Sequence, residues 1–216
     1  ISAERVELAR FQMPSHGTIV LVAVTTALTI TLTAGFFWPD LAVRLSGTLL
    51  LVLVLWLVRH DVARAGLRGT GLRRYSSVAL LAGYGWLVVA ALCWLVAGHH
   101  TAGFLYDAVV HSVMLGFAMS MVMAHAPIIL PAVLRRPLPY RPMLWIPLGL
   151  LHIGLILRVL AGDLLQITIL WQIGGVITVA ALLIFVLTAV TSSLLGEPSA
   201  TREMLAGEPT PSERTP

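Results

Sequence analysis

Lysine is absent from this chain of 216 residues, and all 14 basic positions are arginine. Charge of either sign is scarce, at 11% of residues, where a soluble domain carries about 25%. The one cysteine, Cys93, lies inside an apolar run. That excludes an intrachain disulfide and any metal or iron–sulfur site built from cysteines. There is no Walker motif, no dinucleotide-binding glycine fingerprint, no CxxCH, no HExxH and no internal repeat. The arginines sit in short loops between apolar runs and form no basic face interleaved with aromatics, which argues against nucleic acid as a partner. Residues Ile1 to His16 are polar and amphipathic. They lack the short apolar core and small-residue cleavage site of a secretory signal.

What the chain does have is apolar length: 58% of its residues are hydrophobic. A membrane-spanning helix needs about 20 such residues in a row. Six runs qualify, at about Gly17–Trp38, Leu41–Arg59, Ser76–Ala97, Phe104–Leu134, Pro142–Leu160 and Leu164–Leu195. They do not alternate with period two, so they are not strands of an outer-membrane barrel. The expected fold is therefore an all-α integral membrane bundle of six transmembrane helices in a lipid bilayer. It comprises an N-terminal cytoplasmic segment over 1–16, a membrane domain over 17–196 and a tail over 197–216. The tail, rich in Pro, Glu, Ser and Thr, is predicted to be disordered. With six spans, twelve arginines fall on the side of the two termini, and only Arg44 and Arg158 fall on the other. That asymmetry predicts both termini in the cytoplasm of a bacterial-type inner membrane.

Ionisable groups inside a membrane are functional candidates, because burying them is costly. On a straight α-helix at 100° per residue, Asp107, His111, Met114, Ala118, Met121 and His125 share one face. That polar, soft stripe is expected to face the bundle interior. The next span carries His152. The two spans are joined by a short arginine-rich loop and so are antiparallel neighbours. By a rise of 1.5 Å per residue, the depths of His111 and His152 differ by only about 4–5 Å. Two inward imidazoles at one depth are what a porphyrin iron between helices requires. His125 lies about 21 Å along its helix from His111 by the same rise, too far to share that iron. Without CxxCH, such a haem is held non-covalently, as b-type. Methionine thioether with imidazole suits Cu(I), which makes His111, His152, His125, Met114 and Met121 the candidate metal ligands. An arginine fork suits a propionate, which adds Arg158 and Arg44 at the outer boundary.

Weaker features accompany these. His99 and His100 pair in a loop, and His60 sits between Arg59 and Asp61 at a boundary. Gly83, Gly85, Gly174 and Gly175 permit close approach of a neighbouring helix. Pro127 and Pro131 are expected to kink the helix after His125. No acidic pair is evident in mid-membrane.

The order of His111, the basic loop, Leu157-Arg158-Val159 and a last helix opening at Trp171 resembles the C-terminal part of the NnrS-like proteins. These are multi-span haem- and copper-containing membrane proteins of bacterial nitrogen-oxide metabolism. The resemblance covers roughly Asp107 to Leu187. It implies a haem role for His111, and after it for His125, and a redox function in respiratory electron transfer or nitrogen-oxide metabolism, alongside other subunits of a membrane complex. Two other readings stand beside it: a copper or small-solute transporter using the Met/His stripe, and a cofactor-free scaffold subunit.

Overall fold

The computed structural model describes residues 17–61, 63–134 and 140–195, and every regular element among them is helical. Helix α1 spans Gly17–Ala34, α2 Pro39–His60, α3 the single turn Ala63–Gly66, and α4 Gly71–Ala97. Helix α5 is α-helical over Phe104–His111, π-helical over Ser112–Met119 and α-helical again over Ser120–Leu134. Helix α6 opens with a 3-10 turn at Pro142–Leu144, continues as α-helix over Trp145–Leu155 and ends π-helical over Ile156–Asp163. Helix α7 spans Thr168–Leu195. In hydrocarbon every backbone N–H and C=O must find a partner within the protein, and a helix meets that within one segment. Pro39 opens α2, where its missing N–H costs nothing.

Five helices, α2 and α4 to α7, are long and apolar enough to cross a bilayer. The protein is a multi-pass membrane protein. The expected sixth span, α1, has 18 residues. At 1.5 Å per residue that is about 27 Å, slightly short of a ~30 Å hydrocarbon core. We call the end of the bundle with connections 35–38, 98–103 and 164–167 distal, and the opposite end proximal. The segment 1–16, the tail 197–216, Arg135, Arg136 and the side chain of Pro131 lie outside the described residues. The helix runs on through Pro127.

Helix α4 is the central element. It packs along α2 on one side and α5 on the other, and α6 and α7 form a closely apposed pair. Fully buried Val54, Ala79, Ala90, Ala124 and Leu151 mark this core. Between α6 and α7 the contact is backbone to backbone. A Cβ on Gly154 would stand 2.9 Å from the Gly174 carbonyl oxygen. Small residues at such crossings let membrane helices gain packing that lipid cannot displace. Polar links fasten the rest. Thr31 and Ser46 hydroxyls meet at 3.0 Å between α1 and α2, and Ser76 donates to the Ala124 carbonyl at 2.8 Å between α4 and α5.

Candidate functional site

At the distal end, three helices converge on one carboxylate. Asp107, in the first turn of α5, accepts from Arg158 Nη2 of α6 at 2.9 Å and from the Trp171 indole of α7 at 3.2 Å. The guanidinium also lies over the Trp171 ring, 4.3 Å from its centroid. Arg158 is only 13% exposed, and a group so placed is held at low cost only when paired. Gly175 leaves the space that it fills: a Cβ there would stand 3.1 Å from Nη1. Asp163, 3% exposed, closes α6 beside the same group, facing the Asp107 carboxyl and Arg158. Among the described residues its Oδ2 has no hydrogen-bond partner, and neither has Arg158 Nε.

His111 sits one turn along α5 from Asp107. Its Nδ1 lies 2.8 Å from the Asp107 carbonyl oxygen and 3.3 Å from Asp107 Oδ1. Both oxygens accept, so in the neutral ring the proton sits on Nδ1 and the lone pair on Nε2. A carboxylate that orients the far nitrogen of an imidazole, itself fixed by further partners, is the surrounding usual for a metal-ligating histidine. His125 is oriented the same way, with Nδ1 2.7 Å from the Met121 carbonyl oxygen.

His152 is held in the opposite sense. Its Nδ1 accepts from the Trp86 indole at 3.0 Å. An indole only donates, so the neutral ring carries its proton on Nε2. That nitrogen is buried and has no partner among the described residues. Trp86 is itself fixed, because its ring lies directly against Gly116 where a Cβ would collide with it. The resemblance implies haem, and the residues present fit it unequally. His111 offers the correct nitrogen and supporting shell. His152, expected as a second ligand, offers a protonated one.

The Met/His stripe does not form one face. The π-helical stretch Ser112–Met119 winds with more residues per turn than an α-helix, so positions after it lose the register of those before. Met114 is 61% exposed on the outside of the bundle. Met121 is buried, and its methyl group abuts Gly83 of α4. Among the described residues no group of three or more His, Cys, Asp or Glu is placed to hold a metal ion. Arg44 is also engaged otherwise than expected. It bonds Asp40 at 3.0 Å and the Leu95 and Val96 carbonyls at 2.9 and 3.0 Å, closing the distal end of α4. The last carbonyls of a helix lack intrahelical partners and carry the negative end of its dipole, which explains the attraction. His60 stacks on Trp56 at 4.8 Å, and the His99 amide donates to Asp40.

Four participants were not singled out by sequence: Asp163, Trp171 as a cap on Arg158, Trp86, and the Asp61–Tyr84 bond of 2.6 Å. The approach of Asp163 to Asp107 joins residues 56 positions apart (163 − 107). It depends on the crossing of α5 and α6.

Residues 1–194 match the family described as Domain of unknown function (DUF8744), and the chain belongs to that family. No curated protein and no solved structure matches it.

Proposed function

We propose that this DUF8744 protein is a redox protein of a bacterial-type inner membrane, in the NnrS-like manner, holding a b-type haem through His111. The observation that carries the reading is the shell around that residue. Nδ1–H faces the Asp107 carbonyl and carboxylate, Arg158 and Trp171 fix the carboxylate, and Nε2 is left as the ligating atom. The resemblance over roughly Asp107 to Leu187 supports it. Such a group supplies one-electron chemistry and an iron that binds small gaseous molecules. Because His152 presents Nε2–H, ligation by a single imidazole is favoured, which suits nitrogen-oxide binding better than electron relay alone. Asp107 keeps His111 in the ligating tautomer, and Arg158 balances the carboxylate. His125, with the same ring orientation, is the candidate ligand of a separate centre, haem or copper. The twelve-to-two arginine distribution supports a cytoplasmic proximal end.

A second reading is favoured by the same residues. Asp107, Arg158 and Trp171 clasp α5, α6 and α7 together, as they would in a cofactor-free scaffold subunit. An absorption spectrum with metal analysis of detergent-purified protein, expressed with haem and copper supplied, separates the two. The redox reading expects a haem band that His111→Ala abolishes and His152→Ala retains. A wild-type protein carrying neither haem nor copper overturns it and leaves the clasp as scaffold.

A further inference from the structure

The proximal end of the bundle concentrates positive charge. Arg59, Arg64, Arg68, Arg73 and Arg74 are all exposed there, and none is paired with an acidic group among the described residues. The one described carboxylate at this end, Asp61, is buried and accepts from Tyr84 and from the Ala63 amide. Helix α4 begins among these arginines, with Arg73 and Arg74 close to its start and no acidic residue in its first turn. Helix α6 also begins without one. The start of a helix is the positive end of its dipole, so cations there are repelled and an anion is favoured. This arrangement is unfavourable unless a negative group sits at it.

Where α4 and α6 begin, an open cavity is walled by Thr70, Gly71, Arg74, Tyr140 and Trp145. Its side chains offer donors. The Trp145 indole donates to the Tyr140 oxygen at 2.9 Å, which leaves the phenol proton to be given onward. The Thr70 hydroxyl makes no capping bond to α4. With the Arg74 guanidinium these are three donor groups, and no carboxylate among the described residues joins them. That set suits an oxyanion. Depth in the membrane identifies which one. Helix α4 has 27 residues, about 40 Å by the helical rise, against a ~30 Å hydrocarbon core. The arginines at its start place the excess at the proximal boundary, at the level of the lipid headgroups. Tyr140 and Trp145, aromatic with a polar tip, suit the same level. The oxyanion present there is the phosphate of a lipid, and basic pockets between membrane helices take anionic headgroups.

We propose that this cavity binds the phosphate of an anionic phospholipid of the proximal leaflet, held by Arg74 and Tyr140, with the neighbouring arginines attracting the headgroup. The site is independent of the haem reading. The test uses the full chain reconstituted in phosphatidylcholine membranes that contain a minor share of phosphatidylglycerol. The protein is then released in mild detergent for native mass spectrometry. Wild type is expected to retain phosphatidylglycerol about fivefold above its share of the bulk lipid. Arg74→Gln and Tyr140→Phe should each lose most of that enrichment. Arg68→Gln removes the same charge outside the cavity and should keep it. Arg74 is exposed, so its replacement leaves the packed core untouched. A wild type without enrichment overturns the proposal. Equal losses in Arg68→Gln and Arg74→Gln also overturn it, by showing a diffuse surface charge in place of a site. Displacement of the lipid by inorganic phosphate alone would assign the cavity to a soluble anion. Enrichment that appears only when the four glutamates of residues 197–216 are changed to glutamine would assign it to the chain's own tail. Either result defeats the lipid assignment.

Discussion

An indole N–H fixes the character of any imidazole it reaches. Trp86 therefore decides what His152 can do, although the two residues lie 66 positions apart. Trp86→Phe keeps a ring against Gly116 and removes the donor. Nitrogen-15 spectra of histidine-labelled protein should show His152 as a single Nε2–H tautomer in wild type and as a mixture in the variant. The loss of one hydrogen bond should cost about 0.5–1.5 kcal/mol. Arg158 is less forgiving. Arg158→Met leaves the half-buried Asp107 carboxylate without its cation and should destabilise by about 1–3 kcal/mol. Adding Asp107→Asn should recover most of that, since the uncompensated charge is then gone. Equal melting temperatures in detergent for the single and double variants would contradict the pairing. The candidate ligands were legible in sequence as intramembrane ionisable residues, but their partners were not. Hydrogen-bond direction and tautomer depend on which helices touch, and periodicity along one helix says nothing of that.

At the scale of helices, the apolar runs located every long element to within a few residues, because the bilayer imposes both length and composition. What failed was register. A wheel drawn at 100° per residue put Met114 with His111, but the turn that separates them is π-helical, and Met114 faces outward. Two such stretches, Ser112–Met119 and Ile156–Asp163, adjoin the clasp, and no local residue pattern announced either. The contact of α6 with α7 gives a sharper test. Gly154→Leu would drive a side chain into the Gly174 backbone and the Thr178 hydroxyl. Overpacking of this kind costs about 1–3 kcal/mol, read as a lower unfolding temperature. Gly149→Leu, at a position with nothing within 4 Å of a Cβ, should leave it unchanged.

For the whole molecule, orientation in the bilayer is the property that labelling can read directly. In a Cys93→Ser background, Thr101→Cys should react with an impermeant thiol reagent added to intact cells, and Thr70→Cys should react only after the membrane is opened. Equal labelling of both would remove the arginine argument for topology. The Asp107–Arg158 pair carries one more consequence, for biosynthesis. The ribosome makes Asp107 first, and its guanidinium partner emerges 51 residues later. During that interval α5 meets the translocon with a carboxylate that lipid accepts poorly, at roughly 2.5–3.5 kcal/mol in mid-membrane and less near a helix end. Helix α5 should therefore linger at the lateral gate until α6 arrives, and the two should leave for the bilayer together as a hairpin.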